Sequence, residues 1–164
     1  EVAYYDLAKK IIEILKIPNS LINQTVYPKI AREKNIVFVR KVFNIRLALS
    51  LILYLITILL GEHIIYFLGG KEMQEATSLL YLFGALIPLT GITFYLGSTV
   101  LVSFNYENKF NVSVVYSTLF YLIMILFLYL TDEITIVNLI YSIISTEFLL
   151  ALYRYYYCKQ YKII

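Results

Sequence analysis

The amino-acid sequence predicts an all-α protein, a polytopic membrane helix bundle of about five transmembrane helices. Three observations lead there. Hydrophobic residues fill 60% of 164 positions and charged residues 15%, against about 45–50% and 25% in an ordinary soluble domain. The mean hydropathy is +0.75, and a chain of 19.1 kDa has too little interior to hide that much apolar surface from water. The apolar residues also form runs of about twenty, the length that crosses the hydrocarbon of a bilayer, with the charges collected between them.

Composition narrows the function classes. A net charge of +3 gives no basic surface of the kind nucleic acid requires, and no nucleic-acid partner is expected. Cys158 is the single cysteine, which excludes an internal disulfide and a multi-cysteine metal site. There is no Trp, but 17 Tyr can serve as the interfacial aromatic. The chain starts at Glu1 without a cleavable leader pattern, and the expectation is a piece of a longer protein.

Five spans are expected, over residues 3–27, 42–61, 75–104, 110–130 and 134–157. The second is nearly free of charge from Leu47 onward. The third is long enough to tilt and holds Pro88 near its middle. The fourth and fifth are joined by Thr131–Glu133, a connection short enough only for antiparallel neighbours. Outer-membrane strands would alternate in polarity over about ten residues, whereas Leu119–Leu130 is continuously apolar. No internal repeat or linker divides the chain.

Charge sets the orientation. The connection Lys29–Arg46 holds six Lys or Arg against the single Glu33. The next, Glu62–Glu75, is acidic; the third, with Glu107 and Lys109, is balanced; the fourth holds Asp132 and Glu133; the tail holds Arg154, Lys159 and Lys162. Cationic ends lie in the cytoplasm, so the basic connection and the C-terminus are expected there.

The first span is the polar one. At 100° per residue, Asp6, Lys9, Lys10, Glu13, Lys16, Ser20, Asn23 and Gln24 fall within an arc of about 140°. Leu7, Ile11, Ile14, Leu15, Leu21 and Ile22 are expected on the opposite face. Two readings stand: a span whose polar stripe lines a hydrated cavity, or an amphipathic helix lying on the membrane. The charge alternation favours the span. Lys9–Glu13 and Glu13–Lys16 have the spacing of helical ion pairs, and Pro18 is expected to kink the helix.

The run YYDLAKKIIEILKIPNSLINQTVYPKIAREKN at Tyr4–Asn35 resembles the C-terminal half of the Wzx-type O-antigen flippases. These are polysaccharide exporters of the MATE/lipid-flippase superfamily. Tyr5, Ala8, Lys9, Pro18 and Pro28–Lys29–Ile30 sit at the places where that family has similar residues. His63–Leu89, with its Gly, charged turn and internal Pro, is similar too, as is LVSFNYENKFN before the next span. The resemblance implies a fragment of a larger transporter, helices eight to twelve of about twelve, in the bacterial cytoplasmic (inner) membrane. It implies transport of an oligosaccharide carried on a polyprenyl pyrophosphate. It implies as partners the membrane lipid, that substrate, a polysaccharide polymerase and chain-length proteins, and it implies no cofactor and no enzymatic activity.

An anionic, sugar-bearing substrate needs cations and hydrogen-bonding groups shielded from lipid. Lys9, Lys10 and Lys16 are the candidates for phosphate, and Asn19, Asn23 and Gln24 for sugar hydroxyls. The alternative is that the lysines only neutralise Asp6 and Glu13. Glu13 and Glu147 are the ion-coupling candidates, a packing or ion-pair role with Arg154 being open for Glu147. Pro18 and Pro88 are the hinge candidates, Pro88 with Gly84 and Gly91 beside it; close helix packing is the plain alternative. His63 and Cys158 lie near helix ends and are given no role. Two rival functions remain: a multidrug or cation exporter of the same superfamily, which would want an anionic cavity, and a membrane-embedded polysaccharide-processing enzyme. No nucleotide, hydrolase or metalloprotease motif occurs.

Overall fold

The computed structural model describes residues 2–164, and every regular element in it is helical. Helix α1 is Val2–Glu33 and α2 is Ile36–Gly69. A short 3-10 turn, Lys71–Met73, leads into α3, Ala76–Gly84, and α4, Leu86–Phe94. Tyr95–Leu101 continues α4 as widened π-helical turns. Helices α5, Glu107–Leu130, and α6, Ile136–Gln160, complete the bundle.

Four stretches are long and apolar enough to cross a membrane: Ile36–Gly69, Ala76–Leu101, Glu107–Leu130 and Ile136–Gln160. The chain is thus a multi-pass membrane protein by its length and composition. Helix α1 is long enough but too polar for that set. It lies antiparallel to α2, as the cross-helix hydrogen bonds Asn19–Ser50 and Asn23–Arg46 require, the residue numbers falling on one helix as they rise on the other. Of the five expected spans, four coincide with these apolar stretches, and the first, α1, is a polar helix packed against them.

The boundaries differ from the expected ones in an informative way. The basic connection expected over Lys29–Arg46 is helix almost throughout, and only Lys34 and Asn35 separate α1 from α2. Lys34 takes a left-handed backbone, φ 46°, and the Asn35 side chain accepts from the Phe38 amide at 3.1 Å, capping α2. The other tight reversals use residues that tolerate the same conformation: Asn105 at φ 65° and Asp132 at φ 55°. Thr135 caps α6 by accepting from the Asn138 amide.

The two candidate hinges also part company. Helix α1 runs through Pro18 without a break. In the third span the regular helix stops at Gly84 and resumes at Leu86. Gly84 is the i−4 residue of Pro88, whose ring both removes that hydrogen bond and crowds that carbonyl; the Ala85 amide turns back to Leu82 instead, at 3.3 Å.

The third span is the centre of the bundle. Half of its apolar window, 50%, is buried, against 22% or less in the other three. Its neighbours are α1, α2 and α6, with α5 packed on α6. Two apolar cores result. One gathers Ala8, Ile12, Ile65, Leu80, Ile87 and Ile140 near the acidic loops. The other gathers Ile30, Val39, Tyr95, Leu101, Cys158 and Ile163 near the basic ends, where Tyr106 stacks on Tyr161 at 3.8 Å between ring centroids. The outer faces of α5 and α6 are apolar and exposed, with Leu122, Ile123, Leu126 and Phe148 among them.

Gly91 lets α4 approach both α1 and α2. A Cβ there would meet Ser50 Oγ at 2.8 Å and Asn19 Nδ2 at 3.5 Å. Gly91→Val should therefore destabilise the bundle by about 1–3 kcal/mol, the usual range for an overpacked interior, while Leu126→Val on the outer face should change it by no more than about 0.5 kcal/mol. Unfolding of the detergent-solubilised protein followed by circular dichroism measures both. Equal losses would place the contact elsewhere.

Candidate functional site

Between the two apolar cores lies a layer of polar side chains, and its centre is Arg46. The arginine is 3% exposed. The apolar stretch of α2 extends from Val42 to Gly61, between Lys41 and Glu62, so Arg46 stands about 6 Å inside it at 1.5 Å per residue. A long cationic side chain that near a helix end would ordinarily reach back to the headgroups. Here it turns into the bundle. Its Nη1 donates to Asn23 Oδ1 of α1, and the same oxygen accepts from Thr99 Oγ1 of the π-helical turns at 3.2 Å. The guanidinium carbon lies 5.0 Å from the Tyr95 ring centroid, an attraction that strengthens out of water. Tyr95 is fixed in turn by its hydroxyl, which donates to the Val39 carbonyl at 2.8 Å.

Two of the arginine's nitrogens, Nε and Nη2, have no partner, and neither has Asn19 Oδ1. Beside this layer is a cavity of about 130 Å³ lined by Lys16, Asn19, Ser20, Asn23, Arg46, Thr90, Gly91 and Phe94. Asn19 Nδ2 donates to Ser50 Oγ at 2.9 Å. Lys16 is half-buried, and both Glu147 and Glu13 act on it electrostatically.

A second arginine joins the layer from α6. Arg154, 5% exposed, donates from Nε to Ser113 Oγ at 2.9 Å and from Nη1 to the Thr93 carbonyl at 2.7 Å. Gly97 makes the room, since a Cβ there would lie 2.6 Å from the guanidinium carbon. The Thr93 hydroxyl donates to Glu147 Oε2 at 2.9 Å. Glu147 and Arg154 are thus linked through one threonine rather than paired directly. Among the described residues the one ion pair within 4.0 Å is Arg32–Glu33, exposed and 3.4 Å long, a pair of little energetic weight.

The sequence-predicted residues divide accordingly. Lys16, Asn19 and Asn23 come together at the cavity. Asn19 and Asn23 do not face open water: both are buried and hydrogen-bonded to α2. Lys9, Lys10, Glu13 and Gln24 are exposed, and the expected Lys9–Glu13 and Glu13–Lys16 ion pairs are not formed within 4.0 Å. Lys9 lies 5.9 Å from the Tyr5 ring instead, and Gln24 donates to Ser20 Oγ at 3.4 Å. On α1 the inward residues are Ala8, Ile11, Ile12, Asn19, Asn23 and Ile30, so Asn23 of the polar stripe is turned into the bundle, while Ile14 and Leu21 of the apolar face are 61% and 56% exposed. The amides turn inward because Arg46 and Ser50 offer partners there that lipid does not. Pro88 lies outside the cavity, one turn before Gly91.

Arg46, Thr93, Thr99 and Ser113 belong to the site although reading along the chain gives them no role, and Arg154 enters that reading only as a possible partner of Glu147. The available signal is that Arg46 stands four residues inside the apolar stretch beginning at Val42.

No protein-family model, curated protein or solved structure matches the chain.

The Arg46 clasp makes a quantitative expectation. Asn23→Leu removes the one side-chain acceptor of a buried guanidinium and should cost about 2–3 kcal/mol, as for a hydrogen bond to a charged group with its partner left behind. Thr99→Val removes a neutral donor to the same oxygen and should cost about 1 kcal/mol. Denaturant unfolding in mixed micelles ranks the two variants; the reverse order would mean that Arg46 is satisfied by other groups.

Proposed function

We propose that this chain is part of a membrane transporter that flips a polyprenyl-pyrophosphate-linked oligosaccharide across the bacterial cytoplasmic membrane for surface-polysaccharide synthesis. One observation carries the reading: a charged helix is built into a bundle of apolar ones, with its ionic edge left uncovered. Lys9, Lys10 and Glu13 line the outer side of α1, and Lys16 leads from that side to the buried layer around Arg46. Charged groups at membrane depth require water or further protein. A hydrated path along α1 supplies the first and suits a cargo with sugars and phosphates.

The charge balance favours an anionic cargo. Lys16, Arg46 and Arg154 are the cations of the polar layer and Glu147 its carboxylate, so a cation exporter would meet repulsion there. In this reading Lys16 attracts the pyrophosphate about midway across, one turn from Asn19, which pairs with Ser50 near the middle of the apolar stretch of α2. Glu147, bonded to Thr93, is the candidate for ion coupling. The break at Ala85 above Pro88 is the candidate hinge. The basic ends and the C-terminus face the cytoplasm. Other transmembrane helices, a polysaccharide polymerase and chain-length proteins are the expected partners.

Three measurements test this. A reporter active only outside the cytoplasm, fused after Ile164, should be silent; activity would reverse the orientation. In a Cys158→Ala background, single cysteines at Lys9, Glu13 and Ser20 should react with a membrane-impermeant thiol reagent, and cysteines at Leu122 and Ile123 should not. Equal labelling of the two sets would remove the hydrated path. In cells that depend on the full-length protein for surface polysaccharide, output at equal protein level should fall in the order Lys16→Arg, Lys16→Gln, Lys16→Glu. Recovery of Lys16→Gln by Glu13→Gln would reduce Lys16 to a structural counter-charge.

A further inference from the structure

We infer that the large cavity at the acidic end of the bundle binds an organic ammonium with an apolar body, its charge held by Glu62 and Glu75. The inference is independent of the cargo proposed above, because this cavity shares no residue with the one beside Arg46.

The cavity encloses about 920 Å³ where the start of α1, the later turns of α2, the start of α3 and the start of α6 converge. That volume is at the upper end of the range for pockets that take drug-sized ligands. Gly61 helps to form it. A Cβ at Gly61 would lie 2.6 Å from Tyr81 Cε1, so the missing side chain seats the Tyr81 ring against α2. Tyr81 and Glu62, the residue after Gly61, both line the cavity.

Charge gives the sign of the ligand. Glu62 and Glu75 are the charged residues of the lining, which holds no Lys, Arg or His. Neither has an ion-pair partner within 4.0 Å, since among the described residues the one such pair is Arg32–Glu33. Glu75 directly precedes α3, where the helix dipole sustains a negative charge. Two carboxylates without a counter-ion on one cavity attract a cation, and apolar walls strengthen that attraction.

The rest of the lining gives the kind of cation. A bare metal ion is a poor fit, because no three His, Cys, Asp or Glu among the described residues are grouped to hold one. A larger, more diffuse cation suits the site. Tyr4 and Tyr81 are the aromatic residues of the lining, and aromatic faces attract ammonium groups. From α6 and the residues before it come Ile134, Ile136 and Val137, an apolar wall for the hydrocarbon part of the ligand. Thr77 is 9% exposed and lines the cavity. Its amide donates to the Gln74 carbonyl at 3.1 Å, while its hydroxyl has no hydrogen-bond partner among the described residues. A buried hydroxyl in that state calls for a partner from the ligand. The ammonium has two sources: a free organic amine, or the headgroup of an ethanolamine phospholipid whose chains continue over the apolar wall.

The experiment uses the purified protein in detergent, with benzyltrimethylammonium as the probe. Equilibrium dialysis against empty micelles, at equal detergent and ionic strength, measures the excess bound by the protein. The wild type should bind the probe saturably. Benzyl alcohol and benzoate keep the ring but lose the cation, and should bind about tenfold more weakly or less. Joint replacement Glu62→Gln and Glu75→Gln should weaken binding of the probe by about tenfold or more. Val137→Trp, which fills the cavity from an exposed position, should abolish it. Glu72→Gln, exposed in the 3-10 turn and outside the lining, should bind as the wild type does. Glu62, Glu75 and Val137 are all exposed, so their replacement spares the core. Size-exclusion profiles verify this, and if one variant fails to fold the other decides. Native mass spectrometry separates the sources. An ethanolamine phospholipid retained by the wild type and displaced by the probe identifies a lipid headgroup; probe binding without such retention identifies a free amine. Absence of saturable binding would overturn the site, as would binding undiminished in both variants. Equal binding of benzyl alcohol and the probe would reduce the cavity to an apolar crevice and overturn it too.

Discussion

A guanidinium keeps its charge at any accessible pH, and a helix that carries one into hydrocarbon must find it protein partners. Arg46 imposes that requirement one turn inside the apolar stretch of α2. The neighbouring elements meet it in different ways. Helix α1 supplies Asn23, which commits that helix to packing an amide face, and not a purely aliphatic one, against α2. The third span supplies the Tyr95 ring, and the ring is held in place by the Val39 carbonyl of α2 itself. Thr99 closes the clasp from the π-helical turns. Three separate helices are thereby pinned at one level of the bundle, and the apolar cores above and below that level follow from it.

Arg154 answers the same requirement with neutral partners. A hydroxyl and a carbonyl take its protons, and the carboxylate of Glu147 is reached only through Thr93. Both charges lie on α6, two turns apart, and Thr93 of α4 bonds to each, so the bridge ties α6 to the third span. Burying two arginines with one carboxylate leaves the layer cationic, in a setting where added anions are held more firmly than in water.

Much of the fold was legible along the chain because crossing a bilayer is a matter of composition and length. The four apolar spans, their antiparallel order and the short reversals at Asn105 and Asp132 all follow from runs and breaks in hydropathy. The site was legible in part. Lys16, Asn19 and Asn23 stood out as polar groups on a helix in an apolar protein. Arg46 did not, and Arg154 did so only as a possible partner of Glu147, because counting cations near helix ends records position along the chain and ignores which way a side chain faces. Which polar groups of α1 are covered could not be read along the chain, because Arg46 and Ser50, more than twenty residues away in sequence, decide it. The prolines differ in the same way. Pro88 interrupts a central span already crowded at Gly84 by Tyr54 and Thr57, whereas Pro18 lies in a helix with one side open.

The π-helical turns at Tyr95–Leu101 have a consequence for how such a bundle can move. A widened turn advances through a smaller angle per residue than an α-turn, so this stretch holds slack in helical phase. That slack brings Tyr95 and Thr99 to face Arg46 and Asn23, and it aims Gly97 at Arg154. Letting the slack migrate one turn along the span would rotate those side chains about the helix axis while the axis itself stayed in place. Both arginines lie against the side of the helix that such a shift would turn.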